Sequence, residues 1–349
     1  MKFEAVTIKD IAKALGLSTS TVSRALRDSY EISPETKDRV LAYAKQINYR
    51  PNPIALSLKE KRSRSIGVII SEIANSFFSQ AIDGIESVAH DRGYNVIIAQ
   101  SKESFDKEMS AINYLASRSV DGILISISSE TKDVSLIEDL HSKGLPFVCF
   151  DRIINELDTF KICFDNFKTA YNATTQLIRN GYKRIAHLAN AEYLSITQER
   201  VAGYRKALED NKLPFEDRLM FYARHGGLVY QEVEDAMNAA LRLKPGIDAV
   251  FASSDKLTTN ILRYCRKHKV SIPDELGLLG FSNLDLTDLL SPSLSVVHQP
   301  AFEMGKLAAE SLLKIVESKR PIKDYETFVL PGEILHRESS RKRIVTIKD

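Results

Sequence analysis

From Ser65 onward, short apolar runs alternate with stretches of helical length. IGVII (66–70) precedes a helix near 77–92, NVIIA (95–99) one at 105–118, and DGILIS (121–126) one at 133–143, before PFVCFD (146–151). Runs apolar at consecutive positions bury both faces, and strands that alternate with helices pair in parallel. This part of the chain is therefore α/β and doubly wound. A second set follows: KICFD (161–165), RIAHL (184–188), AVFAS (249–253) and ELGLLGF (275–281). Two such subdomains imply a cleft between them. SVVHQP (295–300), a helix near 302–319 and TFVLP (327–331) are expected to cross back. The expected N-subdomain is about 65–161 plus 293–325, and the C-subdomain about 162–292 plus 326–349.

The first 64 residues follow another pattern. TIKDIAKALGLSTSTVSRALR (7–27) reads as two short helices joined by a tight turn. Thr7 can cap the first, with Asp10 as its capping-box partner. Ile8, Ile11, Ala12 and Leu15 fall on one helical face. Gly16 stands where a helix end favours positive φ. Ser18 can cap the second helix, whose Val22, Ala25 and Leu26 point back at the first. Thr19, Ser20, Ser23, Arg24 and Arg27 then face outward. Hydroxyls suit phosphates, and an arginine fork suits guanine O6 and N7, so this face fits a major groove. Ser33-Pro34-Glu35 starts a third helix, lined by Val40, Ala44 and Ile47. The result is a small all-α domain at 1–50. Charge agrees: residues 1–64 hold 13 Lys/Arg against 7 Asp/Glu, and the remainder 35 against 39. A basic head on a mildly acidic body fits a nucleic-acid-binding module joined to a separate core.

Residues 51–64 read as a linker with a latent helix. Asn52 can cap, Pro53 takes the first helical position, and Ile54–Leu58 can continue. Such a segment is shorter than the roughly 12–15 residues an isolated helix needs in water. Lys59, Lys61, Arg62 and Arg64 suit phosphate contacts.

The strings VTIKDIAKALGLSTSTVSRAL and ISPETKDRVLAYAKQINYRPN closely resemble the DNA-binding head of the LacI family of bacterial transcription regulators. The resemblance continues across nearly the whole chain. It implies a core like the periplasmic sugar-binding proteins and a hinge helix that orders on DNA, with Leu58 pushed between base pairs from the minor groove. The DNA-contacting set it implies is Thr7, Ser18, Thr19, Ser20, Thr21, Ser23, Arg24, Ser33, Tyr49, Asn52, Ala55 and Leu58. In the core, ligands are expected beyond the carboxyl ends of the strands. Asp151, Asp165 and Asp255 fall there, with Arg200 at a helix start. Each matches a family signature: a strand ending in Asp-Arg, the pair Asp165-Asn166, the R-x-x-G-Y segment, and a strand ending in Asp. Carboxylates accept from hydroxyls and a guanidinium donates in a planar fork, which suits a sugar or sugar phosphate. Asn75, Phe77 and Phe78 are expected to wall the cleft, and Phe281 completes the set.

Three stretches depart from the commonest family pattern: NSFF (75–78) for Asn-Pro-Phe-Phe, Lys256 after Asp255, and GFSN (280–283) for Gly-Phe-Asp-Asp. There is no tryptophan, so sugar stacking falls to Phe or Tyr. No GxxxxGK[ST], GxSxG or HExxH occurs, and an enzyme is not expected. Cys149, Cys163 and Cys265 lack metal-ligand spacing and read as buried thiols in a reducing compartment. Neither a metal nor a cofactor is expected. The start MKFEAVTIKD has no apolar signal core, which points to the cytoplasm. The charged end HRESSRKRIVTIKD has no leucine heptad, which points to a dimer. The expected partners are double-stranded operator DNA, a sugar-like effector and a second copy of the chain. The alternative is a catabolite-control regulator that reads a protein corepressor.

Overall fold

The computed structural model describes residues 6–49 and 62–342. The chain divides into two units, 1–64 and 65–349.

In the first unit, α1 (Ile8–Leu15), α2 (Thr19–Ala25) and α3 (Pro34–Gln46) enclose one small core. Ile11, Val22, Ala25 and Val40 are fully buried in it, with Ala12 and Ala44 beside them. Gly16 ends α1 at φ +63°, and its neighbour Leu17 returns an N–H to the Ala12 carbonyl at 2.9 Å. That left-handed residue turns the chain between α1 and α2 without strain.

The second unit alternates strand and helix: β1 (Ser65–Ile70), α4 (Ser76–Asp91), β2 (Asn95–Gln100), α5 (Phe105–Ser117), β3 (Gly122–Ile125), α6 (Ser135–Ser142), β4 (Phe147–Phe150) and β5 (Lys161–Phe164). It continues through α7 (Asn166–Arg179), β6 (Ile185–Ala189), α8 (Ser195–Asp210), β7 (Met220–Tyr222), α9 (Tyr230–Arg242), β8 (Ala249–Ala252), α10 (Asp255–His268) and β9 (Gly277–Phe281). It closes with β10 (Ser295–His298), α11 (Ala301–Glu317), β11 (Thr327–Leu330) and β12 (Glu333–Leu335). Two six-stranded sheets result, β2-β1-β3-β4-β5-β11 and β7-β6-β8-β9-β10-β12. The order is the same in both. All pairings are parallel except β10 with β12.

Three segments lie on the other sheet from the one the sequence predicts. KICF (161–164) pairs with β4 in the first sheet, in the register Cys149↔Lys161. SVVH (295–298) pairs with β9 in the second, Val296↔Gly280. TFVL (327–330) returns to the first beside β5, Phe328↔Ile162. The chain therefore crosses between subdomains after Phe164, at Gln299-Pro300 and at Pro331-Gly332. The predicted crossings at 161/162, 292/293 and 325/326 are each displaced. An apolar run states that a strand is buried but not in which sheet, which is why these assignments miss. Two short strands, β7 and β12, also escape prediction, because three residues are too few to show a period.

Helix α11 packs along α4 through two glycines. A Cβ at Gly305 would stand 1.9 Å from the Ala81 carbonyl oxygen, and one at Gly84 would stand 2.0 Å from that of Phe302. Both obstacles are backbone and cannot rotate away. In an open helix, Gly→Ala stabilises by up to about 1 kcal/mol. Here overpacking of about 1–3 kcal/mol outweighs that gain. Gly305→Ala should therefore lower the urea midpoint of unfolding; a raised midpoint would contradict this close approach.

Candidate functional site

In the first unit the caps organise the outer face. The Asp10 carboxylate accepts from the Thr7 N–H at 2.8 Å and the Thr7 hydroxyl at 2.7 Å, and these bonds hold its pKa below the usual carboxylate range. Ser18 Oγ accepts from the Thr21 N–H at 3.0 Å and shares hydrogen bonds with the Ser20 and Thr21 hydroxyls. Ser33 Oγ caps α3 through the Thr36 N–H at 3.4 Å. Thr19, Ser20, Arg24 and Arg27 are exposed, and Ser23 is half-buried. Arg27 folds back onto Ser23, bonding its carbonyl at 2.9 Å and its hydroxyl at 3.0 Å. Arg24 stands off the surface and is paired with Glu31 at 3.1 Å. Tyr49 is half-buried against the small core. Asn52, Ala55 and Leu58 lie outside the described residues.

The two sheets in the second unit have their switch points between β1 and β3 and between β6 and β8. There the chain leaves a central strand toward opposite edges, so the loops part and open a crevice. Several contacts join the subdomains at this level. The Tyr193 hydroxyl donates to the Ser129 carbonyl. Lys256 Nζ lies 3.1 Å from Glu72. The Asn283 and Gln80 side chains meet at 2.7 Å. A cavity of about 450 Å³ opens beside Arg152, between Thr131–Asp133 and Tyr193–Ser195.

Arg200 is the centre of this region. It is 3% exposed. Its Nε donates to Asn166 Oδ1 at 2.8 Å, and its NH1 donates to the Ser253 carbonyl. Its guanidinium lies 3.9 Å over the Phe281 ring. Burial lowers its pKa to about 10, and the Asp151 carboxylate opposes that loss. Asp151, also buried, takes a 3.3 Å hydrogen bond from Ser126. Burial raises its pKa, against the pull of Arg152 and Arg200. Asp255 opens α10 and accepts from the Ser282 hydroxyl at 2.5 Å. Burial raises its pKa too, while the Asn283 and Ser76 N–H groups favour its charge. Ser76 belongs to the first subdomain, so Asp255 also faces across the cleft.

The neighbouring residues make other contacts. Asp165 caps α7 through the Lys168 N–H at 3.0 Å, and its neighbour Asn166 is the one that holds Arg200. Asn75 caps α4 through the Phe77 N–H at 2.9 Å. Phe77 and Phe78 are buried edge to face in the core, centroids 5.1 Å apart. His187 is buried between Tyr204 and Phe251, and burial lowers its pKa to about 3.

Reading by sequence misses a second layer. Arg152 and Glu103 form a buried bidentate pair, at 2.6 and 2.9 Å. Burial pushes the Glu108 carboxyl up to about 7, although Thr131 and the Ser128 N–H donate to it. Among the described residues, Asn190 Oδ1, Thr197 Oγ1 and Ser253 Oγ are buried without a hydrogen-bond partner. Leaving such an atom unpaired costs about 1–3 kcal/mol. Asn190 and Ser253 directly follow β6 and β8, at the second switch point. Their position beyond strand ends was the one available signal.

Comparison with known proteins agrees with this geometry. Residues 7–52 match the bacterial regulatory proteins of the lacI family. Residues 63–342 match the periplasmic binding proteins and sugar binding domain of LacI family. The HTH-type transcriptional repressor PurR of Vibrio parahaemolyticus is 32% identical, over 96% of this chain and 99% of its own. The ribose operon repressor of Halalkalibacterium halodurans is 30% identical, over 96% and 97%. A solved complex of the transcriptional regulator CelR with cellobiose is 27% identical with a TM-score of 0.70, covering 96% of this chain and 99% of that one. With a helix-turn-helix head and a two-subdomain core each matched, the chain belongs to the LacI family of DNA-binding transcription regulators.

Proposed function

We propose that this regulator is a repressor that binds a pseudo-palindromic operator as a dimer and takes a sugar or sugar derivative between its subdomains. It works in the cytoplasm. The carrying observation is Arg200. Residues of the second subdomain fix its guanidinium, and the charge of the Asp151 carboxylate of the first acts on it. A ligand hydroxyl bound by both groups ties the subdomains together. The ribose operon repressor and the CelR–cellobiose complex support a carbohydrate. Among the described residues no helix is long and apolar enough to cross a membrane.

Closure of the cleft is a hinge motion, and it moves the first subdomains of a dimer relative to each other. Effector and operator are then linked reciprocally, by about 1–3 kcal/mol. Arg200→Ala and Asp255→Asn should abolish the change in operator affinity that a sugar produces while leaving operator binding itself intact. Fluorescence anisotropy on labelled operator, with and without sugar, measures both quantities. A wild-type response in either variant defeats the proposal.

At the head, Arg24 reads a base. Its pair with Glu31 is exposed and worth at most about 1 kcal/mol. A bidentate guanine contact contributes about 1–3 kcal/mol of discrimination. DNA therefore wins the arginine. Arg24→Ala should weaken operator binding by about 1–3 kcal/mol and random-sequence binding far less. Equal losses on both would make Arg24 a phosphate contact. Glu31→Gln should tighten operator binding by no more than about fivefold.

A further inference from the structure

Two cations beside the cleft, Lys256 and Arg152, are matched by carboxylates, while Lys132 lies 4.7 Å over the Tyr193 ring. Lys256 is paired with Glu72 at 3.1 Å. Arg200 is bonded to Asn166 and the Ser253 carbonyl and feels the charge of Asp151. Arg152, on which a phosphate would be expected to settle, is held by Glu103. Both NH groups of its fork are committed: NH1 to Oε2 at 2.6 Å and NH2 to Oε1 at 2.9 Å. A bidentate pair of this kind uses the same geometry that would grip a phosphate.

Glu103 is held in place at a conformational cost. Its backbone lies at φ +61°, after Lys102 at +51°. A non-glycine residue in the left-handed region is uncommon and persists where its surroundings impose it. The bend turns the Glu103 carboxylate inward, where Oε2 also accepts from the Ser129 N–H at 2.7 Å. The side chain ends at the junction of the subdomains. Glu103 Oε1 is 3.9 Å, and Asn190 Oδ1 3.5 Å, from where a Cβ on Gly226 would stand. Gly226 and Asn190 belong to the second subdomain.

We propose that Glu103 is a specificity-determining residue: by occupying Arg152 it closes the cleft to anions, so that the site takes an uncharged polyhydroxyl effector and rejects its phosphorylated form. The proposal rests on the effector-cleft reading above. A phosphate entering beside Arg152 would shed water near the Glu103 carboxylate and meet a fork whose NH1 and NH2 are already committed. A neutral hydroxyl meets the unpaired Asn190 and Ser253 atoms instead. Such groups favour a ligand whose hydrogen bonds need no counter-charge.

The test is isothermal titration calorimetry on the full chain with ribose, cellobiose and glucose, with ribose 5-phosphate and glucose 6-phosphate, and with inorganic phosphate. Wild type should bind neither the phosphosugars nor phosphate at millimolar concentration. Glu103→Gln should gain phosphate affinity by roughly tenfold or more, because the released guanidinium then lacks its anion. The double variant Glu103→Gln/Arg152→Gln should lose that gain, which assigns it to Arg152. The proposal is overturned if wild type binds a phosphosugar as tightly as the neutral parent. It is also overturned if folded Glu103→Gln, competent for operator, gains nothing. Should the single variant not fold, the wild-type arm decides alone: equal affinity for a phosphosugar and its parent overturns the proposal, and rejection of the phosphosugar supports it. Failure of every neutral sugar to bind would count against the carbohydrate reading, while the phosphate titration still reads access to Arg152.

Discussion

A guanidinium removed from water must be given partners, and Arg200 determines much of what surrounds it. An isolated buried charge costs several kcal/mol even after the protein relaxes. Asn166, the Ser253 carbonyl and the Phe281 face supply part of the compensation, and Asp151 supplies the opposite charge. These partners come from the start of α7, the end of β8, the end of β9 and the end of β4. Four elements far apart in sequence are positioned by one side chain, so the second subdomain's inner wall and its approach to the first share one constraint.

The same parallel topology explains why polar chemistry collects where it does. Within the sheets, strand residues such as Ile69, Val148, Phe251 and Leu279 are fully buried and apolar. Where the strands end, backbone pairing stops and polar side chains become affordable. Ser126, Asp151, Asn190 and Ser253 all sit one or two positions past a strand. Because both sheets turn their carboxyl ends inward, these residues confront one another across the cleft.

Much of this was legible from sequence, and the misses have physical causes. Caps and periodicity placed the three head helices, since Thr7, Gly16, Ser18 and Ser33 act within a few residues of themselves. The longer strands were found because apolar runs are local. The sheet membership of KICF, SVVH and TFVL was not, because an apolar run does not name its pairing partner, and TFVL pairs with a strand more than a hundred residues earlier. Arg200, Asp151 and Asp255 were recognised as polar groups at strand or helix ends. Of the pair Asp165-Asn166, the amide bonds Arg200 while the acid caps the helix, a division of roles that spacing does not state. Glu103 had no sequence signal, since its importance lies in a partner 49 residues away and a backbone bend that propensity does not forecast.

The three crossings leave β5, β10 and β11 at their carboxyl ends, and these strands lie toward the same edge of each sheet order. The opposite edges, β2 and β7, are untethered. The subdomains are thus joined like two pages at a spine. The switch point between β1 and β3 lies two to three strands from β5, about 10–14 Å at ordinary strand spacing. A rotation of about 10° at the spine would move facing groups there by roughly 2 Å, which is enough to make or break a hydrogen bond. The lever is long enough for a small turn to be felt at Arg200 and short enough that the strands beside the spine need hardly move.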